Sequence, residues 1–297
     1  GTGLDILEKS FPERFYDAKT LDTLSKNKDR IEFATKDGKF TADQLKLGDL
    51  ILTKPGNYFF RFPADDFKVN RNNRIRNKLG NYEYTQTLQE LSDFIENKSI
   101  YGGSVLAVVS KNRDGVRNVI ANHGAYVAKK EKSLGRLVNS ILGKDKLPNE
   151  EISQRLLDFV TNDIKYLESD ADTEVEVLKR ANEVLMTGGS DCTGKVILYA
   201  SLLEQTKVNY RLAYFPEHIS VAVEGNYLDE NGYSFNIGNN KFSIAETTTK
   251  GFVIGRSTLN VPLTLERMDY FQKPGIDSKI YRKNGKALEF EWNWKYI

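Results

Sequence analysis

Gly188-Gly189-Ser190-Asp191-Cys192-Thr193-Gly194-Lys195, continuing into Val196-Ile197-Leu198-Tyr199-Ala200-Ser201-Leu202-Leu203, decides how this chain is read. The glycine doublet is a helix stop, and the run that follows is a helix start. Val196, Tyr199, Ala200 and Leu203 follow Cys192 at i+4, i+7, i+8 and i+11. That spacing predicts an amphipathic helix whose packed face also bears the thiol. Cys192 is the one cysteine among 297 residues. At a helix start the first N–H groups lack partners and the dipole adds positive charge, so the thiolate, the nucleophilic form, is favoured there.

A nucleophilic thiol requires a base. Phe215-Pro216-Glu217-His218-Ile219-Ser220-Val221-Ala222-Val223 reads as a strand with His218 near its start. Alternation places His218, Ser220 and Ala222 on one side and Ile219, Val221 and Val223 on the other. Phe242-Ser243-Ile244-Ala245-Glu246-Thr247-Thr248 predicts a later strand carrying a carboxylate. From Cys192 to His218 is 26 residues, room for a helix, a turn and a strand start; from His218 to Glu246 is 28, room for a pair of strands and a connection. Cysteine, histidine and acid in this order make a Cys-His-acid triad. Each residue also has a plain structural reading: a small buried thiol, a structural histidine and a solvated strand glutamate. Their ordered conjunction favours the site. The chain has two histidines. His123, in Ala121-Asn122-His123-Gly124, reads as a loop or hairpin residue and is the alternative partner.

Over residues 150–256 the sequence resembles the transglutaminase-like superfamily, enzymes related to papain. The resemblance rests on a helix ending at Ile164-Lys165-Tyr166, a second helix and Gly188-Gly189-Ser190-Asp191-Cys192. It continues through the helix with Leu202-Leu203, Pro216-Glu217-His218, and Ala245-Glu246-Thr247-Thr248 leading to Gly251 and Ile254-Gly255. It implies a papain-like core with Cys192 as nucleophile, His218 as base and Glu246 as the orienting acid. The chain departs from the commonest pattern in Thr193-Gly194 after the cysteine, in Ile219-Ser220 after the histidine, and in Glu246 where many members have Asp.

The predicted fold class is α+β, helices followed by an antiparallel sheet, joined to an amino-terminal α+β region. The charged stretch Gly143-Lys144-Asp145-Lys146-Leu147-Pro148 suggests a boundary between residues 1–147 and 148–297, with Asn149 as an N-cap. Ile152, Leu156, Val160 and Ile164 predict a first helix after it. Thr173, Val177, Leu178, Ala181, Val184 and Leu185 predict a second. Ala287-Leu288-Glu289-Phe290-Glu291-Trp292-Asn293-Trp294 alternates as a further strand. Before the boundary, residues 31–40 read as a hairpin turning at Asp37-Gly38, and Leu50–Thr53 and Ser104–Val109 as buried strands. Helices are expected through Leu88, Leu91, Phe94 and Ile95, and through Leu134, Leu137, Val138 and Ile141.

Composition is that of a folded chain, 39% hydrophobic and 28% charged, and 43 basic against 41 acidic residues leave no global field for polyanions. In the stretch 61–78, Tyr58-Phe59-Phe60-Arg61-Phe62 precedes Lys68, Arg71, Arg74, Arg76 and Lys78, a pattern found in polyanion-binding surfaces. Asp65 and Asp66 interrupt it, which favours a core strand followed by a solvated loop and argues against nucleic acid. One cysteine excludes an internal disulfide framework and a multi-thiolate zinc site. No P-loop, dinucleotide fingerprint or EF-hand loop is present, so no cofactor is expected. No apolar run is long enough for a transmembrane segment, and no signal peptide is visible. The start Gly1-Thr2-Gly3 lacks methionine, as a trimmed chain does, which leaves an extracytoplasmic location open.

The expected chemistry is acyl transfer at an amide through a thioester, with His218 taking the Cys192 proton and the Cys192 N–H helping to bind the oxyanion. Tyr166 is a candidate second oxyanion donor. Water as acceptor gives a protease or amidase acting on a peptide or protein, cell-wall peptide included, and hydrolysis leads; an amine acceptor gives a protein-crosslinking transglutaminase. A catalytically silent peptide-binding or scaffolding module and a polyanion binder are the other readings.

Overall fold

In the computed structural model the described residues are 33–36, 51–54, 57–60, 68–69, 74–87, 90, 93–94, 100–101, 107–111, 117–168, 179–259, 264–275 and 279–288. The architecture across them is α+β. Strands β1 (Phe33–Lys36), β2 (Ile51–Lys54) and β3 (Asn57–Phe60) form one antiparallel sheet in the order β1-β3-β2. A second is the antiparallel β4 (Lys68–Val69), β5 (Arg74–Leu79) and β6 (Tyr82–Thr87). β7 (Ala107–Lys111) pairs with β8 (Arg117–Ala121).

Helices α1 (Lys132–Leu142) and α2 (Asn149–Asp163) follow. The two-residue β9 (Lys165–Tyr166) pairs in parallel with β10 (Gly189–Ser190), and α3 (Ala181–Thr187) and α4 (Cys192–Leu203) flank β10. The remaining strands are β11 (Tyr210–Phe215), β12 (His218–Glu224), β13 (Ser234–Ile237), β14 (Asn240–Ala245), β15 (Tyr270–Gln272) and β16 (Ile280–Arg282). They make a six-stranded antiparallel sheet in the order β13-β14-β12-β11-β15-β16.

β12 lies between β14 and β11 and is buried from Ile219 to Val223. Ile219, Val221 and Val223 join the main core with α4, while Ala222 joins a smaller cluster with Ala213, Phe215, Phe242 and Ile244. The period-two alternation is therefore present with both faces covered. The main core runs from Leu79 to Leu288, drawing on side chains both before and after residue 148. The suggested boundary at 147/148 falls in the short link between α1 and α2, which pack on each other, and is no gap in the packing.

The amphipathic helix expected after Cys192 is instead buried all round. Thr193 through Leu203 are all buried, and Cys192 alone is partly exposed. α4 packs against α1, α2, α3, β11 and β12, so no side is left for water. Its polar residues are satisfied internally. Lys195 Nζ donates to the Ile164 and Val160 carbonyls at 2.7 and 3.3 Å, and Ser201 Oγ donates to Ile197 O at 2.6 Å while accepting from Ala128 N.

Other expectations shift at element ends. Pro148 is the N-cap of α2 and Asn149 its first residue, because proline's fixed φ and missing N–H suit a helix start. Part of the supposed solvated loop in 61–78 is strand β5, held between β4 and β6, with Arg76 near Glu83 at 3.7 Å. His123 opens a short 3-10 turn, His123–Tyr126. The Asp37-Gly38 turn, Thr173, Val177, Leu178, most of the helix expected around Leu91 and most of the carboxy-terminal strand lie outside the described residues. Among the described residues no helix is long and apolar enough to cross a membrane.

Candidate active site

Gly188 ends α3 with φ 77° and its N–H on Val184 O, the left-handed stop a glycine permits at no steric cost. β10 then runs beside β9, fixed by Lys165 N to Gly188 O and Leu167 N to Ser190 O, both 2.9 Å. Asp191 is the N-cap of α4, its carboxylate accepting from Gly194 N at 3.1 Å. Cys192 is thus the first residue of a helix aimed by a cap on one side and a strand pair on the other. Gly194 has to be glycine: a β-carbon there would lie 1.8 Å from Ser190 Oγ.

His218 and Glu246 meet because β12 and β14 are antiparallel, with Val221 opposite Ala245. The start of β12 therefore lies beside the end of β14. Glu246 is the residue after β14, not a solvated strand position, and is 1% exposed. Its Oε2 is 2.7 Å from His218 Nε2, and its Oε1 accepts from Thr248 N at 3.1 Å and Thr248 Oγ1 at 2.8 Å. A carboxylate only accepts, so Nε2 carries the proton and Nδ1 keeps its lone pair. The ring is held in the tautomer that a base needs.

A cleft of ≈ 620 Å³ collects Cys192, His218 and Glu246 with Tyr166, Glu217, Thr248, Thr249, Lys250 and Leu259. All three residues singled out from the sequence line this one space. Cys192 Sγ is also 3.9 Å from Thr193 Oγ1. Tyr166 is 43% exposed and faces the cleft rather than the core. His123 is absent from the wall; it is buried with Nδ1 3.1 Å from Tyr214 Oη. An amino-terminal wall to the cleft is the natural expectation for an appended region, yet among the described residues every lining side chain follows residue 148. The β5–β6 hairpin instead buttresses α3 from behind, with Asn77 Nδ2 donating to the Leu185 and Met186 carbonyls at 2.8 and 2.9 Å.

Four residues escaped the sequence reading. Asp191 and Thr248 cap and brace the triad through bonds of local range, signalled only by Asp before a helix and Thr two residues after the acid. Glu217 stands at φ 57° in the two-residue connection between β11 and β12, where Phe215 pairs with His218. Pro216 fixes a negative φ at the first turn position, which forbids the primed turns usual in hairpins and leaves types I and II; the positive φ of Glu217 is the one type II requires. Glycine or asparagine normally fills that place. Replacing Glu217 by Gly is expected to stabilise the fold by about 0.5 to 1 kcal/mol, the left-handed penalty less the extra freedom of the unfolded chain. The urea midpoint reads this out.

Lys195, one turn beyond the thiol, is 2% exposed. Burial pushes its amine from the ordinary 10.5 down to about 8, with the Glu246 charge pulling partly back. Between those values the unfolded chain binds more protons than the folded one, so stability attributable to this group rises with pH from about 8 towards 10.5. Below that window the cost of burying the ammonium is present in full. The parent is therefore expected to gain about 1 to 3 kcal/mol relative to Lys195→Met between pH 7.5 and 10. Paired denaturant titrations at the two pH values measure the difference.

Among the described residues no cluster of three or more His, Cys, Asp or Glu side chains is placed to hold a metal ion. In comparison with known proteins, no family model, no curated protein and no solved structure matches the chain.

Proposed function

We propose that the protein is a cysteine-dependent acyl-transfer enzyme acting at amide bonds through a thioester, with a transglutaminase-like, papain-related core. One observation carries the reading: a thiol on the first residue of α4 shares a cleft with an imidazole whose Nε2 is tied to a buried carboxylate at 2.7 Å. His218 takes the Cys192 proton on Nδ1, the thiolate adds to the carbonyl carbon, and Glu246 stabilises the imidazolium that forms. The Cys192 N–H stands at the helix start, where a developing oxyanion is favoured. The imidazolium then returns its proton to the leaving amine. Water, activated in turn by His218, hydrolyses the thioester, which makes the enzyme a protease or amidase on a peptide or protein.

Iodoacetamide labelling of Cys192 across pH tests this without a substrate. In the parent the labelling rate is expected to rise well below the ordinary thiol value of about 8.5, and in His218→Ala the whole profile moves to higher pH. Coincident profiles would remove the thiol–imidazole pair and the enzyme with it.

A further inference from the structure

β9 brings a tyrosine to the cleft, and the strand pair that aims the thiol also fixes its place. Lys165 N and Leu167 N bond to Gly188 O and Ser190 O on either side of Tyr166, and the parallel register sets Tyr166 opposite Ser190, two residues before Cys192. A third tie comes from α4 itself, where the Lys195 amine holds the Ile164 carbonyl at 2.7 Å, two residues before the tyrosine. The direction of the ring follows from its neighbour. A β-carbon on Gly189 would lie 2.8 Å from Leu167 Cγ, so the leucine side chain covers that face of β10. Successive side chains of a strand point to opposite faces, which sends Tyr166 the other way, to the cleft that it lines with Cys192 and His218. There it stands exposed. The rest of the wall is polar or committed elsewhere. Glu217 and Lys250 carry opposite charges, the Thr248 hydroxyl donates to Glu246, and Leu259 is partly buried against the core. The leaving amine takes its proton from His218 and so lies towards β12. Tyr166 belongs to the β9–β10 pair that leads into the thiol, not to the β11–β12 hairpin that carries the imidazole, and that side of the sulfur is left for the acyl group.

We infer that the Tyr166 ring is the specificity wall for the acyl group, packing against an aromatic or large aliphatic side chain on the residue whose carbonyl Cys192 attacks. This rests on the acyl-transfer reading above and names its substrate class: peptides with a large apolar residue on the acyl side of the bond. An aromatic ring offers broad apolar contact at little cost in side-chain freedom, and packing on it removes apolar surface of the substrate from water.

N-acetyl-phenylalanyl and N-acetyl-alanyl chloromethyl ketones test it. In each, the thiolate forms the C–S bond of a thioether as the C–Cl bond breaks and chloride leaves, and the added mass locates the reaction at Cys192. Rates are divided by those with free N-acetylcysteine, which cancels the difference in intrinsic reactivity. The parent is expected to prefer the phenylalanyl probe about fivefold to tenfold, the effect of removing roughly 40 to 55 Å² of apolar surface from water. Tyr166→Phe keeps the ring and should keep the preference, whereas Tyr166→Ala should bring the ratio of the two rates close to one. Equal rates in the parent, or a preference that persists in Tyr166→Ala, overturns the inference. So does a preference already lost in Tyr166→Phe, which would assign the effect to the hydroxyl. Each of these results leaves the nucleophile standing. Failure of both probes to modify Cys192 in the folded parent overturns the acyl-transfer reading itself.

Discussion

p-Nitrophenyl acetate is expected to acetylate Cys192 in the parent and to do so about a hundredfold to ten-thousandfold more slowly in His218→Ala. The size of the effect follows from what else surrounds the thiol. A helix start favours the thiolate, but here the carboxylate of Asp191, the residue before the cysteine, already occupies the Gly194 N–H and adds a negative charge to the same helix start. The two terms oppose one another, leaving the imidazole as the group that makes proton removal favourable. An activated ester needs little help at its leaving group, so the loss reports on the nucleophile. Mass analysis of the acetylated chain, with Cys192→Ser as the blank, measures it. Similar acetylation rates in parent and His218→Ala would mean that His218 does not serve the thiol.

Glu246→Gln is expected to slow the same acetylation by about two to four orders of magnitude while costing only about 1 kcal/mol of stability. The hydrogen bonds dictate how. Thr248 offers two donors, its N–H and its hydroxyl, to one oxygen of Glu246. A glutamine turns its carbonyl oxygen towards them and therefore its NH2 towards His218 Nε2. Two donors cannot face each other, so the ring must accept at Nε2 and carry its proton on Nδ1. The imidazole survives with its lone pair on the wrong nitrogen. Thermal and urea unfolding should change little, which separates this result from a collapse of the site. A variant that acetylates as fast as the parent would place Glu246 among purely structural residues.

The features legible in the sequence were those made by neighbours along the chain. Gly188 ends α3 and Cys192 begins α4 because a left-handed glycine and a capping aspartate act within a turn, and His218 begins β12 because Pro216 and Glu217 fill a two-residue connection. What was not legible depends on partners far away in sequence. Lys195 and Ser201 lie outside the face that the periodicity assigns to packing, yet the Ile164 carbonyl, 31 residues distant, and the Ala128 N–H, 73 residues distant, satisfy them in the interior. Periodicity scores a lysine as wet and has no knowledge of a free carbonyl at the end of another helix. Glu217 is invisible for a different reason: composition does not report φ, and a proline before it is compatible with either sign of φ at this position. The buttressing of α3 by Asn77 spans more than a hundred residues and leaves no local trace.

The helix that bears the thiol has no solvent side, and this fixes how the molecule can breathe. Amides in the body of α4 have no route to deuterium through local fraying on one face, so their exchange is expected to follow the opening of the whole core, whereas the exposed Lys250-Gly251 and Pro216-Glu217 are expected to open locally. The sulfur is thereby anchored to an element whose following residues are all buried, and the exposed part of the cleft rim belongs to other segments. Rim residues can therefore change while the Cys192 sulfur keeps its place.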